Sequence, residues 1–588
     1  MAALVLALVA SYVSALNVAV PATVPSQAQS LSQTLLSFSI EQDRWPDWTG
    51  TDAQNTFTHT ALSNYAALTG KPPDIRVGAN SVDHSFWSPT ETLNADVFPT
   101  PDVITPYPEA THIVVGNDFY KLSRYLPQGT HMVWGVNLGA NNATNAVNMA
   151  KAIASSFADP AVQAAGVVLD RIEVGNEPDL YAHNGLRPHN YSVQRYVAEW
   201  ETSAAAVVQA MGMGSKGSRV KIQGGAFANQ GFTPRQVFSL GILESAGGKE
   251  ISTIAQHHYS GHYCRGGSHP LASFLSKSAI RNNLTVFETD INATRAHGLT
   301  YILGETNSIA CHGAPGVSDS AGAALWVVDY TLYAATLGIN QAYFHEGVGF
   351  KYNFFQPVPL NRSIDDASRV DPPAPPQILP IYYGGLLINS FIGKTGSSKL
   401  VELSINDTYT SGYAAYEGTA LARVVLVNLQ PWLAGSGSGG GARPSTTVNL
   451  TFAASALNQS GAVTAQRLVL QHADDRANLT WGGRSWETAD ALPSGNAVSE
   501  SVSLADGVEL RASEAILIDF SQAVMVVGSG SSGGSGQSGT SHASNGKYIA
   551  AGVVSGVAVA AILVVVGIYA WRRYVRRRKV TEYFATIS

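Results

Sequence analysis

Arg171-Ile172-Glu173-Val174-Gly175-Asn176-Glu177-Pro178 is an apolar run that reaches a glycine and then a carboxylate, and Tyr301-Ile302-Leu303-Gly304-Glu305-Thr306-Asn307 repeats that plan further along. Each reads as a buried strand that stops where the acid stands. Two carboxylates delivered by separate strands to one mouth are what acid/base-plus-nucleophile cleavage of a glycosidic bond requires. An enzyme is therefore the leading expectation.

Outward from these two segments, strand-like runs recur at Leu35–Glu41, Ile75–Gly78, His131–Asn137, Ile172–Glu177, Val220–Gly224, Ile254–Tyr259, Tyr301–Glu305 and Asn340–His345. Helical spacing or composition fills stretches between them, as in Asn145–Phe157, Val193–Met211 and Ala321–Leu337. Eight strands alternating with helices predict an α/β fold, a (β/α)8 TIM barrel over residues 31–380 with decorated loops. A doubly wound sheet shares the alternation, but no Gly-rich phosphate turn opens a helix here. In a barrel of this kind the strands' C-terminal ends build the active site, and Glu177 and Glu305 end the fourth and seventh strands. Glu173, two residues inside its strand, is expected to point into the barrel.

The texture then changes. Leu421–Leu429, Ser445–Phe452, Ala465–Gln471 and Ala515–Phe520 are short alternating segments divided by Gly, Ser and Asn turns, which predicts a β-sandwich over residues 381–527. The strand-like Asn17–Val24, within an N-terminal segment at 16–30, is expected to add a strand to it. Gly435–Gly441 reads as a flexible loop.

The chain has 588 residues, a net charge of −6 and only 13% charged residues, with no basic stripe before its extreme C-terminus. That argues against a nucleic-acid partner. Residues 1–15 are apolar and end in Val13-Ser14-Ala15, which predicts a signal peptide, although no basic residue opens it. Sequons at Asn142, Asn190, Asn283, Asn292, Asn361, Asn406, Asn449, Asn458 and Asn478 fit a glycosylated ectodomain. A Gly/Ser-rich linker at 528–547 leads to Tyr548–Trp571, an uncharged run long enough to cross a bilayer. The basic tail at 572–588 orients it by the positive-inside rule. The expected location is the cell membrane, as a single-pass protein with its N-terminal bulk outside. Cys264 and Cys311 are the only cysteines. In an oxidising compartment that sparse, even count suggests one disulfide above the active-site face, two separate buried thiols being the alternative.

The chain resembles glycoside hydrolase family 79, the β-glucuronidase and heparanase group within the retaining (β/α)8 glycosidases. The resemblance rests on Ser37-Phe38-Ser39-Ile40-Glu41, Ile75-Arg76-Val77-Gly78-Ala79-Asn80-Ser81, Val174-Gly175-Asn176-Glu177-Pro178, His257-His258-Tyr259-Ser260, Gly304-Glu305-Thr306-Asn307-Ser308, Ala314-Pro315-Gly316-Val317-Ser318-Asp319 and Gly349-Phe350-Lys351-Tyr352. It spans about Asn17 to Phe520. It implies Glu177 as acid/base, Glu305 as nucleophile, and Asn176 on the 2-hydroxyl of the reacting sugar. Retention of configuration would follow, with carboxylates about 5–5.5 Å apart. Glu177 must then carry a proton at working pH, helped by the charge on Glu305.

The same resemblance implies that Arg76 orients the nucleophile, that Tyr259 hydrogen-bonds it, and that Asn80 belongs to the substrate-binding set. It places a uronate carboxylate near Tyr352, Lys351 and backbone amides around Gly347–Gly349. Two departures stand out: Ala79 where a glycine is expected, and Glu346, a carboxylate that would repel a uronate if it faced the subsite. No cofactor and no metal is implied. His257 and His258 are adjacent on a strand and point to opposite faces, so with His262 they make a poor zinc set. The expected function is exo-β-glucuronidase action on extracellular glycans or proteoglycans by double displacement. A neutral-sugar β-glycosidase on the same scaffold, or a catalytically silent carbohydrate-binding surface protein, are the alternatives.

Overall fold

A computed structural model describes residues 15–228, 230–436, 442–452 and 463–521. The expected signal peptide (apart from Ala15), the linker at 528–547, the membrane span at 548–571, the basic tail at 572–588 and the sequon at Asn458 lie outside the described residues. Among the described residues no helix is long and apolar enough to cross a membrane.

Eight parallel strands close into a barrel: β1 (Leu36–Glu41), β2 (Ile75–Gly78), β3 (His131–Val136), β4 (Val168–Val174), β5 (Lys221–Phe227), β6 (Ile251–Tyr259), β7 (Thr300–Asn307) and β8 (Ala342–Glu346). Every neighbouring pair is parallel, and β8 pairs β1 to complete the circle. Parallel strands between helices are covered on both faces, so they read as continuous apolar runs. β1 and β2 are buried along their whole length. The helices Ala143–Phe157, Val193–Met211 and Ala321–Thr336 lie between strands in sequence. The last has every residue from Ala321 to Ala335 buried, because the helix Ile381–Ile392 packs over it.

Two local irregularities aim the acidic residues. β4 ends at Val174, three residues before Glu177 rather than at it. Gly175 has φ 82°, and a Cβ there would stand 2.6 Å from the Cβ of Leu138. Glu177 itself adopts φ 46°, ψ 52°, and its amide donates to the carbonyl of Ala226 at 2.9 Å. On β7 the register against β6 slips, with Leu303 opposite Gln256 but Glu305 opposite His257. Gly304 is the extra residue, a bulge of the kind that re-aims a side chain beside an active site.

The C-terminal domain is two-layered. Its larger sheet contains Ser398–Glu402, Thr410–Glu417, Ala420–Asn428, Glu514–Asp519 and Val463–Val469; its smaller one pairs Ser445–Thr451 with Val508–Arg511. Ala15–Ala19 adds a parallel strand to the smaller sheet, Ala15 opposite Thr447 through Ala19 opposite Thr451. Val18 and Val20 are thereby buried in the sandwich core. Arg281 ties barrel to sandwich: it contacts the buried Asp329 on the barrel side and donates to Glu402 and the Tyr413 hydroxyl, at 2.6 and 2.8 Å, on the sandwich side.

Candidate functional site

Arg76 is the centre of the barrel's upper layer. It is completely buried, and four partners take up its guanidinium. Nε and Nη2 donate to Glu173 Oε1 at 2.8 and 2.6 Å, Nη2 to Asn176 Oδ1 at 2.7 Å, and Nη1 to Ser39 Oγ at 2.8 Å and Glu305 Oε2 at 2.9 Å. Glu173 also accepts from Gln223 Nε2 at 2.6 Å, so its charge is spent inside the barrel. A fork of fixed donors suits this task, since only Arg offers several N–H groups in one plane.

Glu305 receives a second donor, the Tyr259 hydroxyl, at 2.8 Å on Oε1. Burial alone would raise its pKa, but the charges of His345, His257 and Arg76 and the Tyr259 hydrogen bond outweigh it and hold the carboxyl at about 2. Glu305 is thus ionised across the physiological range, as a nucleophile must be. Burial opposes a charge on His345, yet the Glu305 and Glu41 carboxylates push it up to about 9. His345 Nε2 stands 3.4 Å from Glu41 Oε1, and Glu41 in turn accepts from the Ser81 amide at 3.2 Å.

Glu177 faces Glu305 across the mouth. His257 Nδ1 lies 2.9 Å from Glu177 Oε1 and 4.0 Å from Glu305 Oε2. A carboxylate oxygen of each glutamate and a nitrogen of His257 all fall within 4.8 Å of one another. His258 turns the other way, its Nδ1 2.7 Å from the Tyr330 hydroxyl, so the two adjacent histidines do face opposite sides. The trio has ligand types that suit a cation, but both oxygens of Glu305 already accept from Arg76 and Tyr259. A cation there would sit against the Arg76 charge.

Above the pair is a cavity of about 540 Å3, lined by Glu177, Glu305, Asn80, Tyr259, Tyr352 and His345 among others. Cys264 and Cys311 also line it and are joined as a disulfide. Asn176 stands at its edge, its Nδ2 donating to Asn80 Oδ1 at 3.3 Å. Lys351 is not brought to this cavity. Its side chain is fully buried without a hydrogen-bond partner for Nζ, 5.9 Å from the centre of the Tyr263 ring, and burial lowers its pKa. The Gly347 and Gly349 amides are occupied as well, donating to Asn353 Oδ1 and Gln356 Oε1 at 3.1 and 2.9 Å. Glu346 faces away from the cavity: it accepts the Phe354 amide at 3.1 Å, and burial raises its pKa well above the usual carboxylate range. It brings no charge to the subsite. Ala79 takes φ 62°, ψ −154°, a conformation that costs any residue but glycine.

An insertion between β2 and β3 closes the mouth. The Tyr107 ring lies against Gly349, and its hydroxyl donates to Asn361 Oδ1 at 3.2 Å and accepts the Arg362 amide at 2.8 Å. Glu109 Oε1 meets His312 Nε2 at 2.9 Å, and His312 stacks on Phe350 at 3.8 Å. Burial would raise the pKa of Glu109, but the His312 charge and hydrogen bond outweigh it and lower it. The Cys311–His312 corner has positive φ at both residues, 62° and 68°. His345, Glu109 and His312 were not singled out from sequence, His257 was weighed only as a poor zinc ligand, and Glu41 was given no role of its own. The strand-end rule that found Glu177 points equally to Glu41 and to His345. Nothing local marks the Glu109–His312 pair, which spans 203 positions.

Residues 412–517 match the family model described as the glycosyl hydrolase family 79 C-terminal beta domain. The chain is 29% identical over 504 residues to a β-glucuronidase of Aspergillus niger, covering 82% of this chain and 88% of that protein. It is 27% identical over 524 residues to a β-glucuronidase of Neurospora crassa, covering 82% and 90%. Among solved structures, a 4-O-α-L-rhamnosyl-β-D-glucuronidase from Fusarium oxysporum superposes with a TM-score of 0.70 at 23% identity, covering 86% of this chain and all of that one. With a closed barrel, paired glutamates at its rim, a C-terminal domain that matches the family 79 model and similarity to two fungal β-glucuronidases along most of its length, the chain is similar to the β-glucuronidases of glycoside hydrolase family 79.

Proposed function

We propose that this protein is a retaining β-glucuronidase that removes a terminal glucuronic acid from a glycan or glycoconjugate. One observation carries the reading: carboxylate oxygens of Glu177 and Glu305 within 4.8 Å, over a cavity the size of a sugar site. That separation belongs with the roughly 5–5.5 Å spacing of retaining enzymes and leaves no room for the water an inverting enzyme must seat between its carboxyls. The two fungal β-glucuronidases matched along most of the chain support the choice of sugar.

In this mechanism Glu305, held ionised by Arg76 and the Tyr259 hydroxyl, attacks the anomeric carbon. Glu177 gives its proton to the departing oxygen, and the bond to the aglycone breaks as the bond to Glu305 forms. Glu177 then takes a proton from water, which displaces Glu305 with a second inversion. Asn176 is locked by Arg76 through its oxygen and donates from Nδ2 to Asn80 Oδ1, which lines the cavity, and this pair is the proposed contact for the sugar's 2-hydroxyl. Of the residues proposed for the uronate carboxylate, Tyr352 lines the cavity, and the His312 ring lines it as well. The pinned insertion makes the mouth a pocket, which supports exo action.

The same reading puts the enzyme outside the cell, held by the apolar span 548–571, with glycans on sequons such as Asn142, Asn190, Asn292, Asn361, Asn406 and Asn478, all exposed. The test is the purified protein on a panel of chromogenic β-glycosides with Glu305→Gln as control. Turnover of the glucuronide, abolished in the variant, supports the proposal; turnover of only the xyloside or glucoside contradicts it.

A further inference from the structure

The end of the barrel remote from the paired glutamates also holds a cavity, of about 420 Å3. Its walls are the N-terminal ends of β4 to β7 and the residues that lead into β1, β2 and β8. Among the described residues every side chain that lines it is polar or charged. Sites for apolar molecules are walled mostly by hydrophobic and aromatic groups, so this one suits a small, charged ligand. Barrel enzymes do their chemistry at the opposite end, which puts the cavity outside the proposed reaction.

Arg171 stands in its wall with only 7% of its surface exposed. Its Nη1 donates to the Thr253 hydroxyl at 3.0 Å and its Nη2 to the Tyr343 hydroxyl at 2.9 Å. Both partners are neutral, Nε has none, and among the described residues Arg171 makes no ion pair. Arg76, the other buried arginine, meets two carboxylates instead. A buried charge held only by neutral groups is costly, and a counter-charge relieves it.

The acids in the walls do not fill that role. Asp74 accepts from Gln341 Nε2 at 2.6 Å, and burial raises its pKa. Asp170 has both oxygens 2.8 Å from His131 Nδ1, a hydrogen bond that raises the pKa of the histidine. Both acids favour the Arg171 charge without touching it. Two further cations flank the opening. Arg219 is exposed, and Lys221 is half-buried, 2.7 Å from Glu250, which is not part of the wall. Thr34, Ser252, Thr300 and Asn340 add hydroxyl and amide donors around them. Guanidinium groups among such donors are how proteins take up oxyanions.

We propose that the N-terminal end of the barrel is an oxyanion site, taking a phosphate or sulfate group either as the free ion or as an ester on a sugar. Arg171 supplies the buried charge, and Arg219 and Lys221 draw the anion in from solvent. The site stands apart from the glycosidase reading: a chain that binds the anion without turning over a glucuronide keeps the site and loses only that reading.

The test is calorimetric titration of the full chain at fixed ionic strength with sodium phosphate and, separately, with galactose 6-sulfate, sodium chloride being the control. The expected result is saturable binding of one or both at one per chain, with no saturable heat from chloride. Arg171→Met should weaken it by roughly tenfold or more, the loss of a charge-assisted contact. Arg219→Ala combined with Lys221→Ala, a change confined to the opening, should weaken it by about threefold or more and decides the matter if Arg171→Met does not fold. Tighter binding of galactose 6-sulfate supports a group carried on a glycan; tighter binding of phosphate supports the free ion. Absence of saturable binding by either probe, or affinity unchanged in the double variant or in folded Arg171→Met, overturns the site.

Discussion

His257 Nδ1 lies 2.9 Å from Glu177 Oε1 and 4.0 Å from Glu305 Oε2, so one buried ring touches the proposed acid and borders the proposed nucleophile. A residue placed this way keeps the two carboxyls at a fixed separation while leaving Glu177 free to move its proton. His257→Ala should therefore lower kcat on an aryl glucuronide by about 10^2-fold, within the range for a displaced catalytic group. KM should change much less. Steady-state kinetics checks this, and an unchanged kcat would remove His257 from the account.

Arg76 presents a different expectation, because its loss strands charge. Arg76→Lys cannot reach Glu173, Asn176, Ser39 and Glu305 together, and it leaves Glu173 buried without its forked partner. Breaking a buried pair from one side costs about 3–5 kcal/mol. Urea denaturation should show a loss of that order, together with a fall in activity even where the variant remains folded. A stability within about 0.5 kcal/mol of the parent would contradict the assigned network.

The eight barrel strands were legible because strands covered on both faces leave unbroken apolar runs. Glu177 and Glu305 were legible from where those runs stop. Less visible were the turns that deliver them, since nothing in the letters shows that Val174 ends β4 or that Glu177 adopts a left-handed conformation. Direction was lost too. Lys351 and Tyr352 are neighbours, yet only Tyr352 reaches the cavity. His345 and Glu346 are neighbours, and alternation along β8 sends the first to Glu305 and the second to the Phe354 amide. The insertion that carries Glu109 to His312 has no periodicity to read, so its contact emerged only from the fold.

A pH effect follows from His345. Its folded pKa is raised from 6.5 to about 9 by the Glu305 and Glu41 carboxylates against the opposing effect of burial. The stabilisation is fully present below about 6.5 and disappears as pH rises through 9, a change of about 3 kcal/mol. Denaturation midpoints between pH 6 and 9.5 should fall accordingly, and His345→Gln should flatten that slope. Parallel curves for parent and variant would contradict the charge assignment.

Ala79 stores strain at the rim of the site. With φ 62°, ψ −154°, it holds a conformation that glycine adopts freely. Ala79→Gly should raise stability by about 1 kcal/mol, the lower end of the cost of such a backbone. A lower denaturation midpoint would show that the flexibility added to the unfolded chain outweighs the relief.

Tyr352 separates sugar recognition from chemistry. Its buried hydroxyl lines the cavity on the β8 side. If it meets the uronate, Tyr352→Phe removes a hydrogen bond to a charged group, about 1.5–3 kcal/mol. The kcat/KM for a glucuronide should fall by roughly 10- to 100-fold, while weak turnover of the matching glucoside stays constant. Equal losses on both sugars would assign Tyr352 to the reaction rather than to the carboxylate.

The most direct measurement is covalent capture of the nucleophile. A 2-deoxy-2-fluoro glucuronosyl reagent with a good leaving group slows release of the glycosyl-enzyme more than its formation, and peptide mass spectrometry then locates the sugar. The account predicts a fluoroglucuronosyl ester on Glu305, absent in Glu305→Gln. A label on Glu177 or Glu173, or time-dependent inactivation without any covalent sugar, would contradict it.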